Sequence, residues 1–277
     1  MKLRSLLFVP GDRPDRMEKA LDVGADALIL DLEDAVSPES KPAAREAVAS
    51  FLRGDRRGPA LFVRINPLDG GLADADLAAI LSADPDGIVL PKAEGTTSLQ
   101  LLDAMLGGSR AKILPIVTET PAALFRMDGY GGVTERLIGL TWGAEDLPAA
   151  IGAATSREDD GSYTPPYQLA RSLTLFAAGV AGVAPIETVY PAFRDLEGLA
   201  AYAARGARDG FTGMMAIHPA QVPVINHAFT PSEEALAQAR AIVAAFEANP
   251  GAGVLSLDGR MIDTPHLKQA RRLLDRA

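Results

Sequence analysis

Ala27-Leu28-Ile29-Leu30-Asp31-Leu32-Glu33-Asp34 is a nearly unbroken apolar run that turns acidic at its C-terminal end. A strand with one wet face alternates apolar and polar residues, whereas a strand covered on both faces does not. The run therefore predicts a buried strand of a parallel sheet, and similar runs recur along the chain. Strands are predicted at Ser5–Val9, Ala27–Leu32, Ala60–Ile65, Gly87–Leu90, Ile113–Val117, Leu137–Leu140, Val183–Ile186 and Met214–Ile217. Helical periodicity fills Arg16–Val23, Pro42–Leu52, Leu72–Leu81, Thr97–Leu106, Pro121–Phe125 and Pro166–Ala178 between them. Eight strand–helix units predict an α/β protein built as a closed (β/α)8 TIM barrel. An open doubly wound sheet is the competing architecture. The first strand lacks the G-x-G-x-x-G turn of its dinucleotide-binding form.

The pattern changes after residue 229, so the barrel is assigned to 1–229 and a helical C-terminal extension to 230–277. Thr230–Asn249 reads as one helix, with Ser232-Glu233-Glu234 at its start and Asn249-Pro250-Gly251 at its stop. Gly253–Leu257 and the Asp258-Gly259-Arg260 turn predict a hairpin, followed by a helix from Thr264-Pro265 to Ala277. So small a segment must dock, on its own barrel or on a neighbouring subunit.

Composition narrows the function. The 277 residues are 48% hydrophobic and 23% charged, a balance expected of a globular chain with a large core. A net charge of -9 opposes binding to a phosphate backbone, so nucleic acid is not an expected partner. With no cysteine, disulfides, thiolate nucleophiles and zinc–thiolate or iron–sulfur sites are excluded; with three histidines, a multi-histidine metal site has few sources. A resident metal would rest on carboxylates, which favours a hard ion such as Mg2+. The apolar run Ser5–Pro10 is too short for a secretory core, and no segment reaches the roughly 18 apolar residues of a membrane span. A cytoplasmic protein is expected.

Charged residues gather where the predicted strands end. Asp31, Glu33 and Asp34 follow the second strand, Arg64 closes the third, Lys92 follows the fourth and Glu119 the fifth. Gly143-Ala144-Glu145-Asp146 follows the sixth, Glu187 the seventh and His218 the eighth. On a barrel these ends converge on the catalytic face. Glu119 and Asp146 close consecutive strands, and two carboxylates side by side call for a cation, a shared proton or an arginine. A divalent ion suits them; a salt bridge to Arg64 or Lys92 is the bland alternative. Arg64 can fork onto a substrate carboxylate or pair with Asp31 or Glu33. Backbone amides of Gly143, Ala144 and Glu145 at a helix start can receive an anion. Lys92 permits Schiff-base chemistry. His218, beside a proline, reads as a rim residue.

The ordered set Arg4–Gly11, Asp31–Val36, Val63–Asn66, Leu90–Lys92, Glu119-Thr120, Gly143–Leu147, Ala216–Gln221 and Asp258–Pro265 resembles the HpcH/HpaI aldolase superfamily, and within it the citrate lyase beta-subunit-like branch. The resemblance implies a (β/α)8 barrel and Mg2+-dependent cleavage or condensation of a 3-hydroxyacyl thioester such as malyl-CoA, citramalyl-CoA or citryl-CoA. It places Glu119 and Asp146 as metal ligands and Arg64 at the carboxylate of a 2-oxoacid such as oxaloacetate. It gives Asp263 a proton-transfer role, with the C-terminal segment reaching over a neighbouring subunit of a homotrimer or hexamer. Arg13 and Lys19, after the first strand, are candidates for coenzyme A phosphates. Two positions depart from the family pattern: Thr212-Gly213-Met214-Met215 lacks the usual lysine, and Glu187 stands where Asp is usual. Three other readings stay open: a subunit acting on citryl groups of an acyl carrier protein, a Lys92 aldolase, and a noncatalytic ligand-binding homologue. On sequence grounds alone, Asp263 serves equally as a helix cap before Thr264-Pro265.

Overall fold

The computed structural model describes residues 1–54 and 58–276. Eight parallel strands form one sheet: β1 (Ser5–Pro10), β2 (Ala27–Asp31), β3 (Ala60–Arg64), β4 (Gly87–Leu90), β5 (Lys112–Pro115), β6 (Gly139–Thr141), β7 (Ala184–Glu187) and β8 (Gly213–Ala216). Each strand from β1 to β4 pairs with the next in sequence, as do β6 and β7, and β8 pairs with β1. Between β5 and β6 the ladder thins to two parallel bridges, Ile113↔Leu137 and Ile116↔Thr141. Pro115 has no N–H to donate there, and β6 is only three residues long. The result is a nearly closed (β/α)8 barrel, as the unbroken runs predict. The predicted fifth and sixth strands are displaced by a residue or two at this seam, where the pairing is weakest.

Burial explains the strand composition. Every residue of β2, β4 and β8 is buried, because the barrel interior covers one face and helices the other. Leu6, Ala27, Ile29, Phe62, Val89, Leu114, Ile186 and Met215 fill the interior. Phe62 fits only because its neighbour in the next strand is Gly87; a Cβ there would stand 2.3 Å from the ring. Each such fully buried large side chain contributes about 1.5–3 kcal/mol.

Helices α1 (Pro14–Ala20), α2 (Lys41–Leu52), α3 (Ala73–Ile80), α4 (Thr96–Leu106) and α5 (Pro121–Leu124) connect the first six strands. After β6 come α6 (Asp146–Ile151), α7 (Pro165–Ala181), α8 (Leu196–Asp209) and, past β8, α9 (Gln221–Ala228). None of the described helices is long and apolar enough to cross a membrane.

The chain divides into two units, Leu3–Asn226 and His227–Ala277. In the second, α10 (Glu233–Glu247) packs on α11 (Thr264–Leu274), with the antiparallel hairpin β9 (Val254–Leu257) and β10 (Arg260–Asp263) between them in sequence. Ser232 caps α10 by accepting from the Ala235 N–H, so the helix begins later than Thr230. The helix predicted to reach Ala277 is seen to Leu274; Ala277 lies outside the described residues.

Candidate active site

Strand register brings the first charged pair together. Asp31 and Arg64 are direct neighbours at the ends of β2 and β3. The Arg64 Nε donates to Asp31 Oδ1 at 2.7 Å and Nη2 to Oδ2 at 2.6 Å, a bidentate fork. Nη1 lies 2.9 Å from Glu33 Oε2 and 3.5 Å from Asp34 Oδ2. Burial opposes the guanidinium charge, but Asp31, Glu33 and Asp34 outweigh it and raise its pKa above the ordinary value. The pairing with Asp31 and Glu33 is therefore the one realised. All three guanidinium nitrogens thus have an acidic partner, and Arg64 also lines a cavity. Asp31 also accepts from the Glu33 and Ala35 N–H groups at 2.9 and 3.1 Å, which folds the acidic loop back on itself.

Lys92 links the next two acids. It sits at φ +50°, a left-handed conformation uncommon outside glycine. Its N–H donates to Glu119 Oε2 at 2.6 Å, while Nζ donates to Glu33 Oε1 at 2.8 Å and stands 3.5 Å from Asp146 Oδ1. Burial disfavours the ammonium, yet the hydrogen bond and charge of Glu33, with Glu119 and Asp146, hold its pKa above the usual lysine range. A Schiff-base lysine needs a depressed pKa. This environment does the opposite and weighs against the Lys92 aldolase.

Glu119 is 4% exposed. Burial pushes its carboxyl up to about 8; the Lys92 N–H opposes the rise, and the charges of Asp146 and Glu33 add to it. Gly143 leaves it room: a Cβ on that residue would stand 2.9 Å from Glu119 Cγ and 3.2 Å from Oε1. The Gly143 N–H is itself engaged, donating to Thr118 Oγ1 at 2.9 Å, so this amide is not available to an anion.

Arg64, Glu119, Gly143, Ala144, Glu145 and Asp146 line one cavity of about 440 Å3, with Phe8, Ile116, Val189, Met215 and Ile217 on its apolar side. The predicted group from β3, β5 and β6 thus meets in one place. Glu119 and Asp146 share this wall with Asp31, Asp34 and Glu145, and no cysteine or histidine is among the lining residues. Among the described residues, no cluster of three or more such ligands forms a closed protein cage. That donor set fits an ion such as Mg2+, which takes one or two carboxylates and completes its shell with water and substrate oxygens. A cation there would also favour the ionised form of Glu119, against the burial and the neighbouring acids that raise its pKa.

Other expected residues stand apart. Arg13 is exposed, pairs with Asp15 at 3.4 Å and lines neither this cavity nor its neighbour. Lys19 lines the neighbouring cavity of about 330 Å3 with His218. Arg16 lines both, a residue the sequence reading passed over. The signal for it was the 13, 16, 19 spacing of basic residues, which marks one helical face. Met215 supplies an apolar wall where a lysine is usual nearby. Glu187 is fully buried and absent from the cavity lining.

Asp263 belongs to the second unit. It ends β10 and caps α11 in a reciprocal box with His266: its Oδ1 accepts from the His266 N–H at 3.4 Å, and His266 Nδ1 lies 2.5 Å from Oδ1 and 3.2 Å from the Asp263 nitrogen. The His266 contact holds this carboxyl below the usual aspartate range. The capping role is realised here.

Comparison with known proteins identifies the family. The family model described as HpcH/HpaI aldolase/citrate lyase matches residues 4–219. A citrate lyase subunit beta-like protein of Mycobacterium tuberculosis is 37% identical over 98% of this chain and 94% of its own length. An L-malyl-CoA/beta-methylmalyl-CoA lyase of Rhodobacter capsulatus is 32% identical over 99% and 94%. The crystal structure of CitE from M. tuberculosis, in complex with magnesium, acetoacetate and coenzyme A, superposes with a TM-score of 0.82 at 35% identity, covering 99% of this chain and 97% of that one. With residues 4–219 matched, from the start of the barrel to just past β8, the chain belongs to the HpcH/HpaI aldolase/citrate lyase family.

Proposed function

We propose that the chain is a Mg2+-dependent carbon–carbon lyase that cleaves or forms a 3-hydroxyacyl-CoA thioester, yielding an acyl-CoA and a short 2-oxoacid. The observation that carries this reading is the meeting of Glu119, Asp146 and Arg64 in one cavity. The relatives support it, since they are named for citrate and malyl-CoA lyase chemistry and one is seen with magnesium and coenzyme A.

Glu119 and Asp146 would hold the metal, which when bound polarises the 2-oxoacid carbonyl and offsets charge on its oxygen. Cleavage breaks the bond between the hydroxyl-bearing carbon and the carbon next to the thioester: the hydroxyl proton passes to water, the O–H electron pair forms the 2-oxoacid carbonyl, and the C–C electron pair becomes the enolate of the acyl thioester. Arg64, kept charged by its acidic neighbours, supplies fixed positive potential beside the oxoacid carboxylate. Arg16, Lys19 and the edge of α1 are assigned to the coenzyme A phosphates. Asp263 is assigned proton exchange with the acyl carbon: as an ionised base it removes the proton in condensation, and in its acid form it returns one in cleavage. The apolar wall of Phe8, Ile116, Val189, Met215 and Ile217 receives the acyl substituent. A cytoplasmic homotrimer or hexamer completes the proposal.

The test is a mass-spectrometric screen of malyl-, citramalyl-, methylmalyl- and citryl-CoA with Mg2+ and with EDTA. Cleavage of at least one thioester, abolished by EDTA, is expected. Full turnover by metal-free protein would sink the reading. Turnover of citryl-acyl carrier protein with none of the free thioesters would favour the carrier-dependent alternative.

A further inference from the structure

Behind the cavity wall, β7 ends in a carboxylate surrounded by donors. Glu187 Oε1 accepts from Trp142 Nε1 at 2.5 Å, from the Tyr202 hydroxyl at 3.0 Å and from the Thr188 N–H at 3.0 Å. Oε2 accepts from Arg171 Nε at 2.7 Å, and Arg171 Nη1 continues to Asp209 at 2.9 Å. The Trp142 ring stands edge-on to Tyr163, 5.0 Å between centroids. A buried charge costs several kcal/mol to desolvate. Well-packed apolar residues could fill this space; what they could not supply is direction to the donors.

Those donors matter because of their neighbours in the chain. Trp142 precedes Gly143, and Thr188 is itself part of the cavity wall. Gly143 lies close against Glu119: a Cβ at its position would stand 2.9 Å from Glu119 Cγ. The contacts thus run from the Glu187 carboxylate through Trp142 and its neighbour Gly143 to Glu119.

We infer that Glu187 is a positioning residue: a single carboxylate oxygen clamps the C-terminal ends of β6 and β7, and through Trp142 it fixes the spacing of Glu119 and Asp146. This rests on the reading of those two residues as the cation site. Substituting groups that orient metal ligands from behind lowers metal affinity by about 10–100-fold.

Trp142 is the one tryptophan of the chain, so its fluorescence reports this contact directly. The experiment measures Mg2+ binding by calorimetry and by tryptophan emission in the wild type, Glu187→Asp, Trp142→Phe, their double variant and Glu119→Gln. Glu187→Asp keeps the charge but is one methylene too short to reach both Trp142 and Arg171. Trp142→Phe removes only the indole donor, and decides the matter alone if Glu187→Asp does not fold. Each single variant is expected to lose about 10–100-fold in Mg2+ affinity, with the double variant no weaker than the weaker single one. Emission should respond to Mg2+ in the wild type and not in Glu187→Asp. Wild-type affinity in both single variants, with losses confined to Tm, would overturn the positioning role alone. A wild type that takes up no Mg2+, or no more than Glu119→Gln does, would overturn the cation-site reading and this inference with it.

Discussion

Glu119 carries the sharpest consequence of burial. Its carboxyl is raised to about 8 in the fold, against an ordinary value of 4.5. A raised carboxyl means the folded state binds the extra proton, so Glu119 lowers the stability of metal-free protein as pH climbs from 4.5 through 8. Glu119→Gln should flatten that part of the stability profile, measured by denaturant titration at pH 5 to 9. Metal must displace the same proton, so Mg2+ affinity should fall about tenfold per pH unit below 8, with one proton released per ion bound; calorimetry in buffers of different ionisation enthalpy reads this. A flat affinity profile from pH 6 to 8 would count against Glu119 as a ligand. Arg64 is already forked onto Asp31, so Arg64→Lys keeps a charge and loses the geometry that orients it. A loss of roughly 30–1000-fold in kcat/KM is expected, equivalent to about 2–4 kcal/mol of transition-state stabilisation. Near-wild-type kinetics for Arg64→Ala would make the residue structural. Asp263→Asn separates capping from proton transfer, because asparagine caps a helix nearly as well and is no base. Folding and Mg2+ binding should survive while thioester turnover and solvent deuterium exchange into acetyl-CoA collapse. Normal exchange would leave only the cap.

Two glycines in the strand ladder and the loop after β6 do work that no apolar pattern announces. Gly143→Ala would put a methyl 2.9 Å from Glu119 Cγ, so the carboxylate must move. Mg2+ binding should weaken about 10–100-fold, and a normal Kd would show that the segment gives way freely. Gly213 starts β8 against β1, and a Cβ on it would fall 1.8 Å from the Leu3 carbonyl oxygen. Backbone cannot yield as a flexible side chain does, so Gly213→Ala should cost about 3 kcal/mol or more in urea unfolding. The elements themselves were readable where burial is strongest: Gly87–Leu90 coincides with β4. They blurred at the β5–β6 seam, where Pro115 and a three-residue strand leave a thin ladder. α9 was obscured by Pro223, which the first turn of a helix tolerates.

Closure of the barrel is what gathers strand ends separated by more than a hundred residues into one wall. It also leaves a face of α7 bare: Leu169, Phe176 and Val180, spaced seven and four residues apart, are 58%, 68% and 72% exposed. Exposed apolar side chains grouped on one helix are what a subunit contact would cover, and α7 is expected to make one. Sedimentation should give an oligomer that Phe176→Glu breaks into smaller species; a wild-type monomer at micromolar concentration would refute it. Near-continuous apolar strands and their acidic ends are local properties, and from them the barrel and the end of it where charged side chains gather could be read directly. Glu119 and Asp146 could be picked out as candidates for this reason: each follows a buried strand. Asp31 is one of two candidate partners for Arg64 in the sequence, with nothing to choose between them; that Lys92 is kept charged, or that Glu187 turns to Trp142, Tyr202 and Arg171, could not be read at all. Those partners stand 33, 59, 45, 15 and 16 positions away along the chain, counting Lys92 to Glu33 second. Hydrogen bonds act over about 3 Å and the cost of burying a charge depends on the protein packed around it. Only the closed fold sets those distances, and with them the charge state of the site.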